Sequence, residues 1–443
     1  MTPPSATPGS GLAGTSPAPG GLGPAEIAPA AGTVPAAVLG NDPTARVPKI
    51  DPKAGPLAPE GIGRLTSERE VLLRFEPNSQ TWRRLATRAV VFPGDVLTCL
   101  PAFRANLTVG GVSLQMLSST TIELLPSDTL GVPGVKLLDG RVMILPQGKP
   151  QAEVRVFTAS CAASVMFVDA DAILAVEQHR QRIEGTDPEK EPGNVATDAY
   201  VAAGNVRWTD ISRPGPAASV EPLSLKSPAR LAFANGRLQS DVPQITENDF
   251  PQWLKTSDER TQMEKRASEV IDQGLGADRP ITLGLTELAS DRRIEVSTLS
   301  VQCLARIDDF DAFVTSLNDP SQKVGWNAQV EALRAAVARG PQSAVRVREA
   351  LEHHRGSKGI ELYRMIWGYS PDQLQQGAAA QLVKWLDHED LDFRVLAFWN
   401  LSHITNSTHF YRPEYPPAKR ALAIKTWVQK LESGQLFKSA TAK

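Results

Sequence analysis

The sequence predicts a multidomain protein, an all-β sandwich or sheet stack followed by a helical region, behind a disordered Pro/Ala/Gly-rich N-terminus. Three observations predict it. Residues 1–62 hold 13 of the 35 prolines and no aromatic residue. From residue 63 to about 240, apolar residues alternate in short runs between turn dipeptides. From Phe250 the apolar period lengthens to about 3.6, and six of the eight tryptophans lie from Trp253 onward. The expected organisation is a tether over 1–62, a β domain over 63–245, a helical domain over 246–432 and a flexible tail over 433–443. At 443 residues the chain is too long for a single core.

The tether alternates proline with small residues, a composition too poor in apolar surface to offset the entropy of ordering. It reads as an extended, semi-stiff segment, either an inert tail or a spacer.

The β region centres on residues 92–125. The turn dipeptide Gly94-Asp95 opens it. Leu107 and Val109, then Val112, Leu114 and Met116, alternate with polar residues on either side of Gly110-Gly111, the pattern of a hairpin. Further runs fall at 70–75, 82–92, 135–138, 141–145, 154–157, 165–168, 173–176, 198–202 and 205–208. Asp139-Gly140, Ala203-Gly204 and Asn235-Gly236 read as turns between runs. Residues 178–194 are charged and aperiodic, and predict an exposed excursion.

In the helical half, Ser257-Asp258 predicts a cap for a helix running to about residue 273, with Met263, Ala267, Val270 and Ile271 on its inner face. Gly274 and Gly276 stop it. Three stretches then share one pattern: Leu288 to Leu304 through Val296, Leu317 to Leu333 through Val324, and Leu386 to Leu401 through Phe393. In each, a helix ends on leucine, an acidic turn follows and an apolar helix reopens, at a period of roughly 35 residues. Pro416-Pro417 opens a last helix, with Ala421, Ile424, Trp427 and Val428 inward, that caps the stack.

Residues 381–404 resemble a HEAT repeat, with Asp387 or Asp390 at the turn aspartate and Arg394 at the arginine of the second helix. The resemblance implies a HEAT-like solenoid in which the turn carboxylates cap the next helix and pair with the arginine of the same or a neighbouring repeat. Residues 74–208 resemble the FecR-type domain of bacterial cell-envelope signalling proteins. The resemblance rests on Trp82, on Gly94-Asp95 followed by Leu97 and Thr98, on Arg104 to Leu107, and on the run containing Gly204. Gly110-Gly111 stands where that family often has Asp-Gly, and Ser164-Val165-Met166 replaces its Gly-Thr. What it implies is a non-enzymatic β domain on the periplasmic side of the cytoplasmic membrane. Members of the family sense an outer-membrane receptor and regulate a sigma factor through an anti-sigma helix and a membrane helix. Neither helix has a match here, so only the extracytoplasmic binding role is carried over.

Composition and motifs limit the chemistry. Forty-seven basic and 49 acidic residues lack the basic footprint of a nucleic-acid binder, so no nucleic-acid partner is expected. No run reaches the roughly 20 apolar residues of a membrane helix, and the N-terminus lacks signal-peptide order. Cys99, Cys161 and Cys303 read as small buried apolar side chains, with a Cys99–Cys161 pair as the alternative.

None of His179, His353, His354, His388, His403 and His409 has metal-ligand spacing, and no nucleophile elbow or phosphate loop occurs. No catalytic residue, cofactor, metal or small-molecule substrate is therefore inferred. His388 belongs to a solvated capping turn or, alternatively, a cation site; His403, His409, Tyr411 and Tyr415 form an aromatic plug or line a pocket. Arg346, Arg348, His353, His354 and Arg355 make a solvated basic helix edge or a site for an acidic partner. The expected function is a non-enzymatic envelope scaffold or signalling protein with a protein partner. The alternative is a carbohydrate- or cell-wall-binding module using the β domain.

Overall fold

The structure, a computed structural model, describes residues 60–436 except 69, 149, 213–220, 235, 240–244, 257 and 277–278. The expected tether up to residue 59, Ser257 of the predicted cap, Asn235 of a predicted turn and the tail beyond residue 436 lie outside the described residues.

A β-sheet region precedes a helical region. The strands are β1 (Gly63–Leu65), β2 (Leu72–Glu76), β3 (Thr81–Arg84), β4 (Val90–Val91), β5 (Val96–Cys99), β6 (Ala105–Val109), β7 (Val112–Met116), β8 (Thr121–Leu125) and β9 (Gly134–Pro146). They continue with β10 (Glu153–Phe157), β11 (Ala162–Phe167), β12 (Ile173–Gln181), β13 (Asn194–Ala203), β14 (Asn205–Asp210), β15 (Leu223–Lys226), β16 (Ala229–Ala234) and β17 (Arg237–Leu238). One sheet runs β4-β1-β6-β7-β9-β12-β13-β16-β17. The other runs β3-β2-β5-β8-β9-β10-β11-β14-β15. Every pairing is antiparallel except β9 with β10.

Strand β9 belongs to both sheets. Residues 134–139 pair with β8 and 142–146 with β7, so the chain passes from one sheet to the other within a single strand. Its inward residues change parity across the passage, from Val135 and Leu137 to Val142 and Ile144. Asp139-Gly140, expected as a turn, is instead the bend in this strand. Gly140 has φ +98°, and a Cβ there would stand 2.7 Å from the Thr120 Cα. Only glycine meets both demands without strain. Ala203-Gly204 is likewise a corner, because β13 and β14 lie in different sheets. The hairpin β6–β7 follows the sequence expectation, with Val109 opposite Val112 and Gly110 at φ +57°.

The expected excursion begins later and is not free. Residues 178–181 extend β12, and 182–193 dock on the helical region. Arg182 donates to the Ile366 carbonyl, Gln373 donates to the Gly185 carbonyl at 2.8 Å, and Arg334 and Arg348 pair with Glu184 and Glu189 at 2.6 and 2.8 Å. Its charges, which suggested solvent, find arginines of neighbouring elements.

The helices are α1 (Gln252–Lys255), α2 (Gln262–Gly274), α3 (Ile281–Ala289), α4 (Ile294–Arg306), α5 (Asp311–Leu317), α6 (Trp326–Arg339) and α7 (Pro341–Arg355). They continue with α8 (Lys358–Trp367), α9 (Pro371–Gln373), α10 (Ala379–Trp385), α11 (Leu391–Thr405) and α12 (Pro417–Glu432). The three helix–acidic turn–helix segments of the sequence are α3–α4, α5–α6 and α10–α11. Helix α11 meets α5, α6, α8 and α10. The cap of α2 differs from expectation: Thr261 is the N-cap, accepting from the Glu264 amide at 3.2 Å and donating its own amide to the Glu264 carboxylate at 2.7 Å. Asp258 binds Arg260 instead. Met263 is exposed, while Ala267 and Ile271 are buried as expected. Ala421 is exposed, while Trp427, Ile424 and Val428 pack inward as expected and Arg420 is buried beside them.

The two sheets and helices α2–α4 share one hydrophobic core, and helices α5–α12 build a second around Phe313, Leu362, Phe393 and Trp427. Leu97, Phe103 and Ile122 from strands and loops join Ile271 of α2, Leu285 of α3 and Leu299 and Leu304 of α4 in a single cluster. Burying such a face against a sheet is what holds α2–α4 in place, since isolated helices of this length are marginal in water. A separate cluster, Tyr200, Phe250 and Trp253 with Leu117 and Ala175, fixes α1 on the outer face of the first sheet. Trp253 donates to Glu177 at 3.2 Å, and Arg141 lies 5.4 Å from its ring centre. The cysteines are free; Cys99 and Cys303 are buried and Cys161 is half-buried, so the Cys99–Cys161 pair is not formed. Their strands, β5 and the start of β11, are not neighbours.

Candidate binding surfaces

The motif residues of the β region are mostly structural. Gly94 takes φ +88°, and Asp95 accepts from the Phe92 amide at 2.8 Å, closing the turn. Arg104 donates its amide to Glu70 at 3.0 Å, and its guanidinium lies 3.7 Å from Asp258. Burial raises the Glu70 pKa above the usual carboxylate value despite Arg104 and Arg260. A Cβ at Gly110 would press on Pro133, whereas Gly111 has room. Gly204 abuts the Ala172 backbone. Trp82 is half-buried, packed against the main core and beside Phe75 with ring centres 5.2 Å apart, at the edge of a cleft.

In the helical region the turn carboxylates do pair with basic residues of neighbouring helices, but they do not cap. Asp390 is the N-cap of α11 with no side-chain bond to its first turn. It accepts from Lys358 at 2.7 Å and pairs with Arg355 at 3.0 Å. Burial raises its pKa, but the hydrogen bonds from Lys358 and Arg355 outweigh this and hold the carboxyl below its ordinary value. Asp387 accepts from Arg420 of α12 at 2.8 Å. Arg394 binds carbonyls rather than carboxylates, those of His388 and Glu389 at 2.7 Å and of Pro413 at 2.8 Å. It ties the turn before α11 to the loop after it. His388 stacks on Phe393 with ring centres 4.1 Å apart and accepts from the Asp390 amide, which makes it part of the turn's packing.

The loop over 406–416 is held from inside. Tyr411 is 1% exposed and donates to the Leu386 carbonyl; His409 meets Trp427 edge-on at 4.5 Å; Arg420 donates to the Tyr415 carbonyl at 2.7 Å. These contacts make His409 and Tyr411 the aromatic plug. His403 instead stacks on Trp399, and Tyr415 lines a cleft of about 400 Å³ with Trp326, Phe398, Trp399 and Arg412. Between the anchored His409 and Tyr411, Phe410 is 95% exposed, with φ +57°. A bulky residue in the left-handed region is strained, and this one leaves its whole ring in water. Nothing in the sequence singles out Phe410, since His409, Phe410 and Tyr411 are consecutive rings with no period to say which turns outward.

The basic edge of α7 divides. Arg348 and Arg355 turn into ion pairs with Glu189 and with Asp390 and Asp392, while Arg346 and His353 remain exposed. Among the described residues, no group of histidine, cysteine and carboxylate side chains could hold a metal ion, and no helix is long and apolar enough to cross a membrane. No protein-family model matches the chain, and no curated protein matches it.

Proposed function

We propose that the protein is a non-enzymatic binding scaffold that docks a protein partner through the 406–416 loop, with Phe410 as the anchor. The observation that carries this reading is the ring of Phe410, 95% exposed on a loop pinned by Tyr411, Arg394 and Arg420. With the backbone pinned on either side of the ring, the loop has little entropy to lose on docking, and aromatic residues dominate interface energetics. Val324 and Tyr415, also exposed, line the adjoining cleft and extend the apolar area. The helical core that holds Tyr411, Trp399 and Trp427 supports a scaffold role, because it fixes this loop on the helices around it. The FecR-type resemblance supports a place on the outer side of a bacterial cytoplasmic membrane, and the HEAT-type resemblance supports a protein-binding helical surface. A photo-crosslinker at Phe410 in cells is the test. A single protein adduct, lost when the crosslinker is moved to exposed Leu422, is the expected result; the absence of any protein adduct at Phe410 overturns the reading.

A further inference from the structure

A second surface lies where the sandwich meets the helices. The hairpin β2–β3 carries Phe75 and Trp82 to the edge of a cleft of about 480 Å³. Opposite stand Asp309 of the turn before α5, Asp311 at the start of α5, and one face of α7, with Arg346, Glu349 and His353. Residues 346, 349 and 353 follow the three- and four-residue steps that place side chains on one side of a helix.

The chemistry of this cleft is mixed by design of its lining. Two half-buried rings offer flat apolar faces. Around them, carboxylates accept, a guanidinium donates, and the side chains of Gln80 and Thr81 do both. Glu349 and Arg346 are exposed and make no ion pair with each other or with other described residues. A phosphate entering here meets four carboxylates, Asp308, Asp309, Asp311 and Glu349; a bare cation meets Arg346 and finds Asp308 and Asp311 already paired with Arg339 and His354. A polyhydroxylated ring meets neither penalty. Its hydroxyls take acceptors and donors from both signs, and its C–H face covers an indole. Burial raises the Asp309 pKa against the opposing hydrogen bond from the Asp311 amide, consistent with a carboxyl in a recessed, partly dry position.

We propose that the cleft between Trp82 of β3 and Arg346/Glu349 of α7 is a saccharide-binding site, with Trp82 as the stacking platform. Placing α7 in the site takes it beyond the sandwich alone, and it stands or falls independently of protein docking at Phe410. The aromatic ring orients the sugar by contact area, and the charged rim selects hydroxyl positions.

The full chain is titrated with chitohexaose and with cellohexaose, following tryptophan fluorescence, and sedimented with purified peptidoglycan sacculi. The expected result is saturable binding of at least one of these glycans, weakened at least tenfold by Trp82→Ala and several-fold by Glu349→Gln, and unchanged by Phe410→Ala. Glu349 is exposed, so its substitution tests the site even where Trp82→Ala disturbs folding. Binding of none of the three glycans overturns the proposal. So does glycan binding that survives both substitutions, or saturable binding of choline in place of sugar.

Discussion

Arg306, the last residue of α4, forms an ion pair with Asp139 of β9 at 2.5 Å, and the same guanidinium donates to Thr121 at 2.6 Å. The arginine is 8% exposed, so a helical cation is buried against the bend in the shared strand. Removing Arg306 leaves Asp139, 24% exposed, without its partner, a loss of about 2–3 kcal/mol for hydrogen bonds to a part-buried charge. Arg306→Met is therefore expected to lower the denaturation midpoint strongly, and Asp139→Asn added to it to recover part of the loss. A double-mutant cycle by urea unfolding measures the coupling.

Gly140 and Gly94 both have positive φ, but their surroundings differ. A Cβ at Gly140 meets the Thr120 backbone, and one at Gly94 meets nothing within 4 Å. Gly94→Ala is expected to cost about 1 kcal/mol, the backbone penalty alone. Gly140→Ala adds a steric clash and is expected to cost at least about 2–3 kcal/mol. Thermal unfolding of the two variants checks the ranking.

Hydrogen bonds from Arg260 hold the Asp258 carboxyl well below its usual value. A depressed carboxylate pKa contributes stability that is present above the unfolded value, near 4, and is lost as pH falls through the folded one. Asp258→Asn should thus be less stable than the parent between pH 5 and 7, by about 1 kcal/mol for a part-exposed pair. The gap should close progressively below about pH 4. Melting temperatures across pH measure it; a gap independent of pH would show that the carboxylate is not the source.

The loop around Phe410 separates stability from recognition. Tyr411→Phe removes a buried hydroxyl that donates to the Leu386 carbonyl, at an expected cost of about 1–2 kcal/mol. Phe410→Ala removes a ring that packs on nothing, and its stability should stay within about 0.5 kcal/mol of the parent.

Thiol chemistry gives an independent check on packing. Burial raises the pKa of all three cysteines, that of Cys161 to about 11. Native protein without reductant should react slowly at Cys161 alone, and denatured protein at three thiols. Mass spectrometry after alkylation counts them; fewer than three in denaturant would mean a disulfide.

The β-then-α order and the hairpin at Gly110-Gly111 are legible in the sequence because each rests on local periodicity and turn chemistry. What escaped reading was long-range. Asp139-Gly140 has the composition of a turn and serves as a bend, since the choice depends on which strands flank it. The charges of residues 182–193 look solvated until Arg334 and Arg348, more than 140 residues away, are brought beside them. Arg306 and Arg420 are buried because carboxylates distant in sequence await them. Phe410 follows the same rule in reverse, an apolar residue turned out because its neighbours are anchored.

Strand β9 also sets how the sandwich can come apart. Two packed sheets joined only by loops can in principle separate, each keeping its own ladder. Here one thirteen-residue strand gives residues 134–139 to one ladder and 142–146 to the other, so neither sheet can dissolve without pulling on a strand of the other. The amides of β9 should be among the slowest in the molecule to exchange with solvent, and their release should coincide with loss of both sheets in one cooperative event.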